Sequence, residues 1–572
     1  MTNEIVFDIE ANGLEPTLVH CWSATGGLHG TTKESFQREV LDSGATLVGH
    51  NILSYDVPVL ERLWGLDFSG VTLVDTLVLS RLARPDRNGG HGLAQWGQTL
   101  GYPKVVHEDW EHYSPAMKKR CDVDVEINEM VLRKVREELR GFSDESIQLE
   151  TEIFKVISDQ CDYGWPFDEH KAILLTARLK DEQKSAEREI RERFTPLATP
   201  LGEVQPKVKA NGELSKVGTK FLGDAWNTLV GPCTRVSFPE FNPGSNDQIA
   251  RYLQRYGWEP TQLTPTGKPI VDESTLKHVD IPEAQLILRY KNLGKMATMI
   301  ESWIEAQDDE DGRVRGYVNS CGAVTSRMSH SKPNLAQVPA RGPDGKKCRE
   351  LFTVDKGYTL VGADASGLEL RMLAHYMADP EYITTVVEGD VHTVNQHAAG
   401  LETRDRAKTF IYAFLYGAGD LEIAEVSGSK SKAHGRKLKQ RFLAQTPALA
   451  ALIKRVQAAA ARGYLIGLDG RKVYVRSTYA ALNTLLQSGG AIYMKRQQLI
   501  LANKMKAAGI YNNGAMFVGT IHDEQQTEVR DDLVAQYTQM ASDSFVEAGE
   551  YYNLRCPMAG EYQTGKTWAE TH

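Results

Sequence analysis

RDRAKTFIYAFLYG, residues 404–417, is the stretch around which the rest of the chain can be read. Arg404, Lys408, Tyr412 and Tyr416 recur every four residues, and each such step turns a helix by only about 40°, so the four side chains share one slowly drifting stripe. A stripe facing a core would be aliphatic. This one begins with two cations, which suit phosphate, and ends with two aromatic rings, which suit a base or a sugar. A nucleoside triphosphate presents its parts in that order. Gly417 and Gly419 then end the helix at a turn.

Upstream, TLVGADASGLELR reads as a short apolar strand that delivers Asp364 at its end and turns through Gly367 into a helix. Downstream, FVGTIHDEQQTEV reads as two strand arms with His522, Asp523 and Glu524 at the bend. Two carboxylates on strand ends, with a phosphate-reading helix between them in sequence, suit two-metal phosphoryl transfer. In such sites hard Mg²⁺ ions about 3.5–4 Å apart take carboxylates, phosphate oxygens and water. The three stretches resemble motifs A, B and C of the A-family DNA polymerases, the bacterial polymerase I type, and most closely those of the replicative enzymes of short-tailed bacteriophages.

The totals agree with a large nucleic-acid enzyme. At 572 residues the chain exceeds one core, and its length implies about three to four domains or subdomains. A 41% apolar fraction is ordinary for a soluble protein, and no apolar run approaches the ~20 residues of a membrane span. IVFDIE follows almost at once on the N-terminus without an export-signal pattern, so no membrane association is expected and the expected compartment is the bacterial host cytoplasm. Seven scattered cysteines without C-x-x-C pairs fit a reducing compartment and offer no zinc site. The net charge of -9 is local in origin, since residues 1–150 hold 14 Lys and Arg against 24 Asp and Glu. The remainder is near balance and can gather its cations into a groove. No period of about 20 to 50 residues marks a repeat protein.

Residues 1–150 alternate strand-like and helix-like runs, as in an α/β domain. In IVFDIEANGL, Asp8 and Glu10 stand two apart on a strand and point to one face. LVGHNILSYDVPVL adds Asp56 after Asn51 and Tyr55, and MKKRCDVDVEINEMVL adds Asp122 and Asp124 at a helix start. Order and spacing resemble the proofreading 3′–5′ exonucleases, RNase H-like in fold, whose four acidic residues hold two metals that activate water. The resemblance carries that role to Asp8, Glu10, Asp56 and Asp124. One position departs from it. Arg120 stands where the family has a Tyr four residues before the last Asp, and Lys119 where a related subclass has a His. The metal ligands are kept, the water-orienting residue is not, and a nuclease activity that Arg120 could reduce is the expectation. DTLVLSRL, with Asp75, reads as structural.

The middle, 151–320, reads as mostly helical, with a Pro-, Gly- and Lys-rich loop insertion at 195–245. FNPGSNDQIARYLQRYGW and PEAQLILRYKNLGKMATMIESWI resemble the paired thumb helices that grip duplex product. The best-known phage relatives carry a larger insertion there that recruits a host thioredoxin; this loop is short for that role, and thioredoxin binding is not expected. Lys207, Lys209, Lys216, Arg289, Lys291 and Lys295 are candidates for sequence-independent phosphate contacts, with a solvated helix face as the equal alternative.

The resemblance implies an α/β multidomain chain ending in a right-hand polymerase: palm with motif A at 321–390, fingers with the motif B helix at 391–465, and palm with motif C at 466–572. In VTSRMSHSKPNLAQVP it puts Arg327 on the primer strand in the minor groove, beside Ser326 in place of the usual Gly. It assigns Asp364 and Asp523 to both catalytic metals, joined by the Ala365 carbonyl, with Glu524 in support; the metals are two Mg²⁺, for which Mn²⁺ can substitute. Glu369, five residues after Asp364, walls off the sugar 2′ position. His392, in GDVHTVNQ, joins Arg404 and Lys408 on the β- and γ-phosphates. Tyr412 takes the sugar-side position that goes with ready termination by dideoxynucleotides, and Tyr416 backs the templating base. GLDGRKVYVRS suggests a hairpin. In the following helix Asn483 and Gln487 share a face from which amides can test minor-groove acceptors, buried amides capping a loop being the alternative. His522 contacts the primer terminus. The closing segment, with Trp568 and His572, resembles the phage enzymes' ends and has no readable role.

The expected protein is a template-directed DNA polymerase acting on primer-template DNA and deoxynucleoside triphosphates, working with a phage helicase-primase and single-strand DNA-binding protein. Lack of room for a 5′ nuclease domain points to replication. A single-subunit RNA polymerase shares the palm, but Glu369 and the front acidic set argue against it. An inactive DNA-binding scaffold would have no need of Asp364, Lys408 and Asp523 together.

Overall fold

A computed structural model describes residues 3–215, 232–342 and 344–571, so Lys216 and His572 lie outside the described residues. The chain separates into two compact units, one of residues 1–168 with 306–572 and one of 169–305. No helix among the described residues is long and apolar enough to cross a membrane.

The first unit begins with a mixed five-stranded sheet. Its strands lie in the order Leu28–Gly30, Val19–Ala24, Glu4–Ala11, Thr46–Gly49, Leu73–Asp75. Glu4–Ala11 pairs antiparallel with Val19–Ala24 and parallel with Thr46–Gly49. The strand period divides its residues between two cores. Phe7 and Ile9 pack with Trp22, Phe36 and Leu47 on one side, while Val6 and Val48 pack with Ile127 and Val131 on the other. Ile127 and Val131 belong to the helix Pro115–Glu138, started by Ser114, whose Oγ accepts from the Met117 N–H, and by Pro at its first position. Asp8 and Glu10 continue the face that this helix covers.

A four-stranded antiparallel sheet, ordered Ala515–Ile521, Glu524–Arg530, Tyr358–Ala365, Gly560–Gly565, forms the centre of the C-terminal half. The helices Ala481–Ala507 and Val534–Tyr551 pack with it and with each other. Gly489 and Gly490 let the helix Leu368–Met377 approach closely, since a Cβ on them would stand 3.0 Å from Tyr376 Oη and 3.1 Å from Leu368 Cδ2. The helix Asp144–Tyr163 belongs here too, which corrects the expected boundary at 151. Its Leu149, Ile153, Val156 and Ile157 are buried in one cluster with Val361 and Phe517, so 144–168 and 306–320 are held by the core of the first unit.

In the second unit the helix Pro282–Glu305 lies along Glu169–Arg193, not along Asn246–Arg255 as the sequence suggests. The pairs Lys180–Glu301 and Arg193–Glu283 make the two antiparallel, and Gly294 clears the space for Gln183. Asn246–Arg255 instead buries Ile249, Ala250 and Leu253 with Ile287, Phe194 and Phe241. Within the expected 195–245 loop, Thr199–Val204 and Cys233–Ser237 pair as an antiparallel ladder. Three candidate phosphate contacts are engaged internally: Lys209 faces Glu213 at 3.3 Å, Arg289 faces Glu182 at 4.0 Å, and Lys291 Nζ donates to Asn246 Oδ1 at 2.7 Å.

One buried histidine makes the first unit acid-sensitive. His375 is 8% exposed, its Nδ1 accepts the Arg555 N–H at 3.1 Å, and burial, then the Arg555 charge, brings its pKa down to about 4. Between pH ~6.5 and that value the unfolded chain binds a proton that the folded chain refuses, so stability falls as pH falls, by up to about 3 kcal/mol for this group. His375→Asn keeps an acceptor without a titration. Urea midpoints at pH 7 and pH 4.5 should show the wild type losing about 2–3 kcal/mol more than the variant across that interval; equal losses would remove His375 as the cause.

Candidate active sites

Asp364 and Asp523 are brought together by strand register. Tyr358–Ala365 runs antiparallel to Glu524–Arg530 with Asp364 opposite Glu524, and the Ala365 N–H donates to the Asp523 carbonyl at 3.2 Å. Ile521 pairs with Glu524, leaving His522 and Asp523 as a two-residue turn in which His522 holds φ +59°. Positive φ is uncommon outside glycine, but His is, with Asn and Asp, among the residues that adopt it most, and it suits this turn. Asp364 is exposed and Asp523 half-buried. Burial, then the Glu369 charge, raises the Asp523 carboxyl to about 6. The two carboxylates and the Ala365 carbonyl are oxygen donors of the kind that Mg²⁺ takes, and at neutral pH a carboxyl raised to about 6 is mostly ionised and able to bind one. Glu524 is buried, and its Oε1 accepts from Gln526 Nε2 and Trp568 Nε1, both at 2.6 Å. Arg349 lies over the Trp568 ring at 4.2 Å. Trp568, without a role in the sequence, thus holds the Glu524 carboxylate.

The helix Arg404–Leu415 starts at Thr403, whose hydroxyl accepts from the Arg406 N–H at 3.3 Å. Ala407, Phe410, Ile411 and Leu415 form its buried face, which leaves Arg404 and Lys408 exposed and Tyr412 half-buried along the other. Arg404 Nε donates to Asp390 Oδ2 at 2.7 Å. The His392 ring is 6.2 Å from that of Tyr412, and burial, then the Arg404 and Lys408 charges, lowers its pKa. The Tyr412 phenol is raised by burial and then by the charges of Glu369, Asp523 and Asp364, so the Tyr412 end of the stripe lies near those carboxylates.

Tyr416 ends the helix and turns its hydroxyl to Glu369, donating to Oε1 at 2.8 Å, with Arg327 Nη2 3.6 Å from the same oxygen. Asn483 Nδ2 donates to the Tyr416 carbonyl at 3.1 Å, which is the loop-capping alternative of the sequence reading; Gln487, one turn on, is half-buried. His522, Arg327 and Glu369 line one small cavity with Asp523.

The front carboxylates form a second cluster. Ligand oxygens of Asp8, Glu10 and Asp124 lie within 4.8 Å of one another, and Asp8 Oδ2 and Asp124 Oδ1 are buried without a partner among the described residues. Such oxygens fit a divalent cation. Asp56 is near this cluster, its charge acting on Asp8, but it is not one of the three whose oxygens meet: its Oδ1 accepts the Ile9 N–H at 3.2 Å, and burial raises it to about 7. Asp122 is turned away to Lys118 and Ser23. Asp75 is structural, accepting from the Asn51 and Leu77 N–H groups, both at 2.9 Å. Arg120 Nε donates to Glu10 Oε1 at 3.0 Å, and Lys104, which no sequence motif marks, faces Asp124 Oδ2 at 2.5 Å.

A family model described as DNA polymerase family A matches residues 219–570. The DNA-directed DNA polymerases of Enterobacteria phage T3 and Escherichia phage T7 are each 32% identical to the chain, over 99% of it and 100% of their own length. The solved POL domain of Pol1 from M. smegmatis, in complex with DNA primer-template and dNTP, has a TM-score of 0.77 at 18% identity, covering 99% of this chain and 95% of that one; this likeness is one of fold.

Proposed function

This chain belongs to DNA polymerase family A and synthesises DNA on a template, and from that premise we propose that Asp364 and Asp523, with the Ala365 carbonyl, hold the two metals of nucleotide addition, Mg²⁺ with Mn²⁺ as substitute. When bound, those ions would supply the Lewis acidity that activates the primer 3′-hydroxyl and neutralises the leaving pyrophosphate. The observation that carries this reading is the strand register that sets Asp364 opposite Glu524, beside Asp523, with the Ala365 N–H on the Asp523 carbonyl and Tyr412 near both carboxylates.

The chain's own groups do the rest. Arg404, Lys408 and His392 take the β- and γ-phosphates by charge, and Tyr412 lies against the sugar. Arg327 and His522 meet the primer end, Gln487 and Asn483 the minor groove once Asn483 releases the Tyr416 carbonyl, and Tyr416 the templating base once it leaves Glu369. Residues 321–390 and 466–572 serve as palm, 391–465 as fingers and 169–305 as the core of the thumb. The ligands are primer-template DNA and dNTP, and a phage helicase-primase and single-strand DNA-binding protein are the partners such a replicative role implies, in the host cytoplasm. The front domain is a 3′–5′ exonuclease built on Asp8, Glu10 and Asp124, with Asp56 beside them.

Glu369 supplies the test of the nucleotide pocket. Its carboxylate is held by Tyr416 and Arg327, and when Tyr416 turns to the template Arg327 stays beside it, so it remains the wall that a 2′-hydroxyl would meet. Glu369→Ala should raise ribonucleotide over deoxynucleotide incorporation, as a ratio of kcat/KM, on the order of a hundredfold. An unchanged ratio would place sugar selection elsewhere.

A further inference from the structure

Residues 101–114 bring a cation onto the front carboxylates. Lys104 Nζ stands 2.5 Å from Asp124 Oδ2, with side-chain exposures of 22% and 3%. Arg120, one helical turn before Asp124, sends Nε to Glu10 Oε1 at 3.0 Å and lies 4.0 Å from Asp124 Oδ2. The rest of its guanidinium secures the loop: Nη1 donates to the Val105 carbonyl at 3.0 Å, and the group lies 4.8 Å from the centre of the Trp110 ring. The Trp110 carbonyl is bound in turn to His20 Nε2 at 2.9 Å. Arg120 is therefore the strut of the segment that carries Lys104. Lys104 and Arg120 occupy one side of the cluster, while Asp8 Oδ2 and Asp124 Oδ1 are buried with no donor among the described residues.

Resting on the exonuclease reading of this site, we propose that Lys104, braced by Arg120, is a resident counter-ion that a divalent metal must displace from Asp124, so that the front site binds its metal more weakly than its carboxylates alone would. An ammonium on a ligand oxygen competes for the same lone pairs and repels the incoming ion, and in a nearly buried site solvent screens little of that repulsion. A neutral side chain of similar length removes both effects and keeps the packing of the stem. Arg120 then explains the departure at the usual Tyr position: it holds a loop there in place of orienting water.

The test is Mn²⁺ binding by the full chain, read from the electron paramagnetic resonance of free Mn²⁺, with Asp364→Ala and Asp523→Ala present so that the front site is isolated. Lys104→Met and Lys104→Gln should each tighten binding at least tenfold, about 1.4 kcal/mol, and Arg120→Tyr should tighten it by less. Thermal melts identify variants that remain folded, and the two Lys104 substitutions guard against a local effect of either. Asp8→Ala should abolish the binding; if it leaves binding intact, the metal-site reading itself fails. Loss of binding in Asp8→Ala together with unchanged or weakened affinity in both Lys104 variants would overturn the counter-ion role and leave the metal site standing.

Discussion

Replacing Asp364 with Ala is expected to slow nucleotide addition by about a thousandfold or more, which corresponds to ~4 kcal/mol of lost transition-state stabilisation. The loss falls on chemistry because Asp364 ends its strand exposed while its neighbours Ala363 and Ala365 are buried. Truncation therefore removes charge from the cleft without opening a cavity in the sheet. The backbone pairing with Glu524 and Glu561 does not depend on the side chain. Single-turnover quench-flow at saturating deoxynucleotide should report the fall in rate under both Mg²⁺ and Mn²⁺, while fluorescence titration should find primer-template affinity changed by no more than a few-fold. A variant that still adds nucleotides within about tenfold of the wild type would remove Asp364 from the reaction.

Glu150→Ala should have the largest effect on stability, about 3–5 kcal/mol. Glu150 is fully buried on the helix Asp144–Tyr163, and its Oε1 accepts from Arg471 Nη1 at 2.5 Å and from Lys495 Nζ. Arg471 also grips Asp469 through Nε, at 2.9 and 3.0 Å, so two anions and two cations close a neutral group with both cations 1% exposed. Without Glu150 a positive charge remains in a site that water does not reach, and the penalty is that of the orphaned ion more than of the lost contact. The group ties three separate segments of the first unit. Urea unfolding followed by tryptophan fluorescence should show the destabilisation in Glu150→Ala, and Glu150→Ala with Lys495→Met should regain a substantial part of it. Equal stability of the single and double variants would mean that Lys495 does not carry the penalty.

Much of the C-terminal site was legible because its chemistry is written in short segments. Asp364 at a strand end, the turn at His522 and Asp523, and the four-residue spacing from Arg404 to Tyr412 each depend on local period, and the structure keeps each of them. What stayed hidden is held by contacts distant in sequence. Trp568 reaches Glu524 across 44 residues, and Lys495 reaches Glu150 across 345, with no pattern near either to announce the partner. The front domain shows the same division. D-x-E on a strand located Asp8 and Glu10, but Asp56 accepting the Ile9 N–H and Lys104 arriving from an irregular loop are tertiary facts. The pairing of Glu169–Arg193 with Pro282–Glu305 was missed because Glu169–Arg193 is charged on most faces, and the fit of Gln183 against Gly294 is a tertiary contact.

Asp364 and Asp523 are proposed as the centre of template-directed DNA synthesis. The most direct measurement extends a 5′-labelled primer with one deoxynucleotide at a time, opposite each of the four template bases, with Mg²⁺, for the wild type and for Asp364→Ala side by side. The predicted result is addition of the complementary nucleotide by the wild type alone. Addition that ignores the template base, or addition that persists in Asp364→Ala, would contradict it.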